Sequence, residues 1–257
     1  MKVTRQCSLF AGVVALCLFI VLFLFGNVAL ATDSELALLM NADRGTVFTT
    51  IMVVASRFGR EYFWIGILGL MLVFRGRETK LMALELALLF GVGIVAGEMM
   101  KYLVYKPRPF TVMIEIVTRV PRDYDSSFPS GHALIVSIGA VFSLLRFKKK
   151  TIALLLTVEA AVVAYSRVYV GMHFPLDVLA SISLGSSIVL LEDHAFDRWL
   201  RPRIVRALTV HTKLSSLSQL SGGTRIHARG SEGTSGISRY ISVTALTATE
   251  KIFSDSL

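Results

Sequence analysis

The longest apolar stretch of the sequence runs from Cys7 to Ala31 without a charged residue. About 20 apolar residues in a helix cross the hydrocarbon core of a bilayer, so this stretch is long enough to span a membrane. The whole chain fits that interpretation, because it is 54% hydrophobic, only 18% charged, and has a mean hydropathy of +0.64. These values exclude an ordinary cytosolic enzyme, a disordered protein and a disulfide scaffold. They predict a multi-spanning membrane protein.

Six apolar segments are expected to cross the membrane. They cover residues 7–31, 61–74, 81–100, 130–147, 151–167 and 174–191. None of them alternates as a strand does, and a helix satisfies its own backbone hydrogen bonds where water is absent. The predicted fold is therefore all-α, a six-helix integral membrane bundle over residues 1–191. Residues 192–257 are predicted to form a basic, Ser/Thr/Gly-rich cytoplasmic tail that is partly disordered.

The first segment also has features of a signal peptide, since basic residues precede it and Ala29-Leu30-Ala31 end it. Its apolar stretch exceeds the roughly 7–15 residues usual for a signal peptide, which favours a retained helix. Lys and Arg residues are more numerous in the connections on the side of the N-terminus. Both termini are therefore predicted to be cytoplasmic.

The charge balance bears on possible partners. There are 27 Lys and Arg residues against 18 Asp and Glu residues, a net charge of +9. Most of the basic residues flank apolar segments, which indicates anchoring to anionic lipid head groups rather than binding of nucleic acid. The bilayer is thus a predicted partner and nucleic acid is not, whereas the oligomeric state is left open by the sequence.

Three polar clusters interrupt the apolar pattern on the predicted non-cytoplasmic side, each at the outer end of a helix. They are Lys101 to Pro109, Pro129 to His132, and Ser166 to Asp177. Ionisable groups within a membrane are costly and usually functional. Lys101, Arg108 and Arg167 can surround a dianion. Ser130 and Gly131 open a helix whose free N–H groups add a further anion site, so the sequence predicts phosphate binding.

Two histidines and a carboxylate complete this predicted site. His173 and Asp177 are four residues apart, and Pro175 suits the first turn of a helix, so both side chains can share one face. A carboxylate bound to one ring nitrogen fixes the tautomer and leaves the other nitrogen as a nucleophile. His132 can then protonate the leaving group. This two-step phosphoryl transfer uses no metal and no other cofactor.

The order and spacing of these motifs resemble the three-part signature of the type 2 phosphatidic acid phosphatase superfamily. The matching residues are Lys101 with Arg108-Pro109, Ser130-Gly131-His132, and Ser166-Arg167 with His173 and Asp177. The resemblance implies a helical membrane enzyme that hydrolyses lipid phosphates or diphosphates without a metal. It implies that His173 is the phosphorylated nucleophile, Asp177 its orienting partner and His132 the general acid. The phosphoryl-binding residues implied are Lys101, Arg108, Ser130, Gly131 and Arg167.

The residues around the motifs are most similar to the microbial branch of this superfamily that acts on polyprenyl diphosphates. A polyprenyl diphosphate is therefore the predicted substrate, followed by phosphatidate or phosphatidylglycerophosphate. A lipid phosphotransferase would use the same motifs, and vanadium-dependent haloperoxidases, which are soluble, share them. A lipid transporter or a non-catalytic scaffold is the alternative from a different functional class.

Other residues near the site are predicted to be structural. Lys106 either adds to the positive field around the phosphate or is a solvated loop lysine, and we expect the second. We expect Tyr62 and Trp64 to anchor a helix at the membrane interface. Asp123 and Asp125 are expected to shape the loop over 110–128 rather than bind a metal. That loop either guides a lipid chain or packs against the bundle. The carboxylates in or near membrane segments are interpreted as partners of cations or polar groups: Glu85, Glu98 and Glu159.

Overall fold

The computed structural model describes residues 2–25, 30–73 and 76–195. Within these ranges the chain forms nine helices and no strand, so the predicted all-α class is confirmed for the described part. The helices are α1 (Lys2–Phe25), α2 (Leu30–Asn41), α3 (Thr46–Phe58), α4 (Glu61–Val73), α5 (Arg77–Leu103), α6 (Pro109–Val112), α7 (Gly131–Arg146), α8 (Lys150–Tyr169) and α9 (Pro175–Ala195).

Four of these helices, α1, α5, α8 and α9, are long and apolar enough to cross a membrane. The apolar helices α3, α4 and α7 are shorter, with 13, 13 and 16 residues. Large apolar side chains such as Leu88, Leu155 and Leu179 are exposed on the outside of the long helices. A lipid environment covers such side chains at no cost in free energy, as expected of a multi-pass membrane protein.

Each of the six predicted segments overlaps a helix, but the count of six is not confirmed. The sequence does not predict α2, α3 and α6. Asp33, Ser34 and Glu35 lie within α2 and interrupt its apolar pattern, while α6 is a single turn of four residues. Of the predicted tail, residues 196–257 lie outside the described residues.

The central helix is α7, which packs against α5, α8 and α9. Ten of its 16 residues are buried. Gly139 allows α4 to approach closely, because a Cβ on this residue would lie 2.2 Å from the Trp64 ring. The prediction that Trp64 anchors the interface is wrong, since only 2% of its surface is exposed and it lies in the core. Tyr62 is 68% exposed, and its anchoring role stays a prediction.

The long connection between α6 and α7 is fixed to the bundle by Asn41, the last residue of α2. Its Nδ2 donates hydrogen bonds to the backbone oxygens of Val117 at 2.9 Å and Tyr169 at 2.8 Å. The backbone N–H of Val117 in turn donates to Oδ1 of Asn41 at 2.9 Å. Ile116 packs into a small core cluster, while Ile114 is almost fully exposed. The loop therefore packs against the bundle on one side and presents apolar surface on the other.

Candidate active site

The three motif segments meet at one end of the helix bundle. Lys101 lies in the last turn of α5, α7 begins at Gly131, and Arg167 lies in the last turn of α8. Together they surround a polar cavity of about 520 Å³. The predicted site residues that line it are Lys101, Arg108, Gly131, His132, Arg167 and His173. Ser130 and Asp177, which do not line it, are fully buried.

His173 lies in the turn between α8 and α9, two residues after Gly171, whose φ of 78° favours glycine. Nδ1 of His173 is 2.7 Å from the backbone oxygen of Ser127. A carbonyl oxygen can only accept a hydrogen bond, so Nδ1 carries the proton and Nε2 keeps a lone pair. Nη1 of Arg108 lies 3.5 Å from that Nε2. The ring thus has the tautomer that a nucleophile facing the cavity requires.

Burial lowers the pKa of His173 well below its ordinary value, and the positive charges of Arg167 and Arg108 lower it further. The hydrogen bond to Ser127 acts in the opposite direction and is outweighed. The imidazole is therefore neutral at neutral pH, and its lone pair is available.

Asp177 does not hydrogen-bond to His173 directly, which corrects the predicted contact. Its Oδ2 accepts hydrogen bonds from Oγ of Ser127 at 2.6 Å and from the backbone N–H of Phe174 at 3.0 Å. The second bond is typical of a capping box, in which the side chain of the third helical residue accepts the backbone N–H of the residue that precedes the helix. Ser127 connects the two, because its hydroxyl binds Asp177 and its carbonyl binds His173.

Lys106 is not a solvated lysine, so that prediction is wrong. Its side chain is only 6% exposed, and its Nζ lies 2.7 Å from Oδ1 of Asp177 and 3.2 Å from Oδ2 of Asp33. Two buried carboxylates need a cation between them, and the ion pairs fix the loop behind the site. Asp33 also accepts the backbone N–H of Leu176 at 2.9 Å.

Asp33, Lys106 and Ser127 are therefore positioning residues that the sequence analysis missed. One signal was available for Asp33, which is an ionisable residue within an apolar region. Nothing local distinguishes Ser127 from its neighbour Ser126, because the contacts of Ser127 come from residues 46 and 50 positions away.

Lys101 and Arg108 share one carboxylate, that of Asp125. Nζ of Lys101 is 2.8 Å from Oδ2 of Asp125, and Nη2 of Arg108 hydrogen-bonds to Oδ1. Partial burial raises the pKa of Asp125, but the hydrogen bonds and charges of the two cations outweigh it and lower the pKa below its ordinary value. Lys101 also pairs with Glu98 at 3.1 Å, as the spacing of the two residues on α5 predicts.

Two buried polar atoms of the predicted phosphate ligands have no hydrogen-bond partner in the described part of the chain. They are Oγ of Ser130 and Nε of Arg167. A buried donor without a partner costs about 1–3 kcal/mol, so such atoms are typical of positions that a ligand completes. Nη1 of Arg167 donates to Oγ of Ser56 on α3. Among the described residues, no group of three or more His, Cys, Asp and Glu side chains is placed to hold a metal ion.

A second cavity of about 430 Å³ adjoins the polar one. It is lined mainly by apolar side chains of α4, α5 and α7, and the two cavities share Arg60, Glu98 and Gly131. Ile65 and Ile94 line it and are also 65% and 55% exposed, so it reaches the outer surface of the bundle. A charged site with an apolar groove beside it can hold a molecule with a phosphorylated head and a hydrocarbon chain.

Several known proteins are similar to this chain in sequence. The sequence model of the PAP2 superfamily matches residues 81–200. Undecaprenyl-diphosphatase of Sulfolobus acidocaldarius is 40% identical over 183 residues, which are 69% of this chain and 87% of that protein. Bacitracin transport permease protein BcrC of Bacillus licheniformis is 31% identical over 165 residues, 63% of this chain and 77% of that protein.

The fold also has a counterpart among solved structures. The transmembrane PAP2 type phosphatidylglycerolphosphate phosphatase from Bacillus subtilis superimposes with a TM-score of 0.62 at 23% identity. The match covers 75% of this chain and 98% of that one. Fold and sequence together define a membrane lipid phosphatase, which confirms the predicted class. The chain belongs to the PAP2 superfamily.

Proposed function

We propose that this protein hydrolyses a polyprenyl diphosphate at the membrane through a phosphohistidine formed on His173. The observation that carries the proposal is the position of Nε2 of His173. Its lone pair faces a cavity lined by Lys101, Arg108 and Arg167. The name of the Sulfolobus relative supports the choice of a polyprenyl diphosphate.

In the first step, Nε2 of His173 attacks the terminal phosphorus of the substrate. The bond between that phosphorus and the bridging oxygen breaks, and His132, which enters the step as the imidazolium with the anionic substrate bound, donates its proton to the departing oxygen. Lys101, Arg108 and Arg167, with Ser130 and the backbone of Gly131, stabilise the charge on the transferring group. The lipid leaves with one phosphate fewer.

In the second step, water attacks the phosphorus of the phosphohistidine. His132, now neutral, accepts a proton from the water, and the bond between phosphorus and Nε2 breaks. Inorganic phosphate leaves and His173 returns to its starting tautomer. The carbonyl of Ser127 keeps the proton of His173 on Nδ1 throughout, so Asp177 acts on the nucleophile through Ser127.

The apolar cavity beside the site is the proposed place for the start of the hydrocarbon chain. It shares Arg60, Glu98 and Gly131 with the phosphate site, and it reaches the outer surface of the bundle at Ile65 and Ile94. The lipid can therefore keep the rest of its chain in the bilayer during the reaction.

We further propose six membrane crossings, formed by α1, α4, α5, α7, α8 and α9. The site then lies on the non-cytoplasmic face, and both termini are cytoplasmic. Residues 1–191 form the membrane-embedded phosphatase domain, and residues 192–257 form the cytoplasmic tail.

Two alternative functions differ in where the phosphate goes. A lipid phosphotransferase would transfer the phosphoryl group from His173 to another lipid instead of water, and labelled substrate distinguishes these products. The name of the Bacillus licheniformis relative favours testing transport as well. A transporter would move labelled lipid or bacitracin across vesicles and release no phosphate.

The test is release of inorganic phosphate by purified protein in detergent with EDTA present. We expect release from polyprenyl diphosphate, and we expect its loss in His173→Ala. The control is His194→Ala, which alters a histidine at the end of α9 that lines neither cavity. Full activity of His173→Ala, or its loss in His194→Ala to the same extent, would contradict the mechanism.

A further inference from the structure

We propose that Arg60 binds the phosphate that stays on the lipid and so selects diphosphates over monophosphates. This inference rests on the proposed function, and it concerns a residue outside the three motifs and outside residues 81–200. Arg60 lies in the short turn between α3 and α4.

The position of Arg60 carries the argument. Among the residues that the structure describes, three line both cavities, namely Arg60, Glu98 and Gly131, and Arg60 is the cation of the three. Nη1 of Arg60 lies 3.2 Å from the position that a Cβ would take on Gly131, so the guanidinium lies against the first residue of α7. The next residue of α7 is His132, the proposed general acid.

The reaction requires the leaving group to lie next to Gly131, between the polar cavity and the apolar cavity. The transferring phosphoryl group must lie beside Nε2 of His173, and the hydrocarbon chain must lie in the apolar cavity. The atoms that join them pass between the two cavities, next to Gly131 and within reach of a proton donated by His132. For a diphosphate those atoms include the second phosphate, which remains with the lipid. Arg60 can offer its N–H groups to that phosphate.

The net charge of the polar cavity also favours a diphosphate over a monophosphate. In the described part of the chain, five cations and three carboxylates line the polar cavity, a surplus of two positive charges. The cations are Arg60, Lys101, Arg108, Arg122 and Arg167, and the carboxylates are Glu98, Asp123 and Asp125. A diphosphate carries more negative charge than a monophosphate. When the leaving group is a lipid phosphate, its developing charge falls beside Arg60, whereas an alcohol leaving group places no second phosphate there.

The experiment compares Arg60→Gln with the unaltered protein on two substrates of the same chain length, a polyprenyl diphosphate and a polyprenyl monophosphate. We expect kcat/KM on the diphosphate to fall about ten- to a hundredfold, as for loss of a charge-assisted hydrogen bond in a reacting site. On the monophosphate we expect a change of less than about threefold.

Two controls separate this role from general effects. Arg57→Gln removes an exposed cation of α3 that lines neither cavity and should leave both rates unchanged. Glu61→Gln removes the carboxylate paired with Arg60 but keeps the guanidinium, so it should preserve the preference for diphosphate. Thermal unfolding of each variant in detergent shows whether it is folded.

The outcomes are distinct. An equal loss on both substrates, or no loss on the diphosphate, overturns the role of Arg60 while the proposed function stands. If the unaltered protein releases phosphate from neither lipid, the proposed function fails and the inference fails with it. A folded Arg60→Gln protein with a lost preference and intact monophosphatase activity supports the inference.

Discussion

The two ends of α7 both gather charged side chains. At one end, called the matched end, each carboxylate of the group contacts a cation; at the other, called the unmatched end, cations are in excess. At the C-terminal end, the guanidinium of Arg146 contacts the carboxylates of Glu85, Glu192 and Asp193. At the N-terminal end, cations outnumber carboxylates around the polar cavity. Both groups join several helices, so the presence of charge in a helix bundle does not by itself identify a site.

The two groups of charged side chains differ in where the partners of their polar atoms come from. The Arg146 cluster connects α5, α7 and α9, and Oγ of Ser8 extends it to α1 through a 2.7 Å hydrogen bond to Asp193. Each of its three carboxylates contacts the guanidinium of Arg146, which is typical of a structural ion network. At the other end, Oγ of Ser130 and Nε of Arg167 have no hydrogen-bond partner among the described residues. Unsatisfied donors beside excess positive charge indicate that an anion from outside completes the cluster.

The largest effect that this comparison predicts is a loss of catalytic rate in the Arg167→Gln variant. Removing a cation that we propose stabilises the transferring phosphoryl group should lower kcat about a hundred- to a thousandfold, or about 2.7–4 kcal/mol. Phosphate release from polyprenyl diphosphate measures the loss, with Arg57→Gln as the control cation. Because Arg167 lies among like charges, the unfolding midpoint should fall less than that of Arg146→Met. A folded Arg167→Gln enzyme with undiminished kcat would show that the charge excess has no catalytic role.

At the matched end we expect Arg146→Met to reduce stability instead. It leaves partly buried carboxylates without their cation, which should cost about 2 kcal/mol, less than the ~3–5 kcal/mol of a fully buried pair because Arg146 keeps some contact with solvent. The measurements are thermal unfolding in detergent and kcat per folded enzyme, which should be unchanged.

A matched control for that variant exists nearby. Lys148 pairs with Glu78 at 3.8 Å, and both side chains are almost fully exposed. Lys148→Met should therefore change stability by less than about 1 kcal/mol. Equal destabilisation by the two substitutions would show that the Arg146 network is not a stabilising element.

The sequence predicts the unmatched end better than the matched one, for a physical reason. The proposed site residues stand in short motifs near the ends of helices, so Lys101, His132 and Arg167 are visible as polar interruptions of apolar segments. The partners of Arg146 are spread from α5 to α9. Glu85 is predicted to be the partner of a cation or a polar group, and it contacts the guanidinium of Arg146.

What the sequence does not predict are contacts that only the tertiary fold creates. Ser127 lies between His173 and Asp177 because the α6–α7 connection folds back under the turn before α9. Trp64 is an aromatic residue near a helix end, a pattern typical of an interface anchor, but Gly139 on a distant helix makes room for it in the core. Helix α2 is missed because Asp33 interrupts its apolar pattern, although the same carboxylate is satisfied by Lys106.

The smallest effect concerns the protonation of His173, which reports directly on the unmatched charge. Burial and the charges of Arg167 and Arg108 lower its pKa, so the ring should stay neutral as the pH falls through its ordinary value and gain a proton only in more acidic solution. ¹⁵N NMR of protein labelled at histidine measures this, with His173→Gln to assign the signal. Arg108→Gln removes one of the cations and should raise the pKa, whereas Arg146→Met acts at the far end of α7 and should leave it unchanged. A His173 that titrates at its ordinary pKa in the unaltered protein, or that responds equally to both substitutions, would show that its charge environment does not distinguish the two ends.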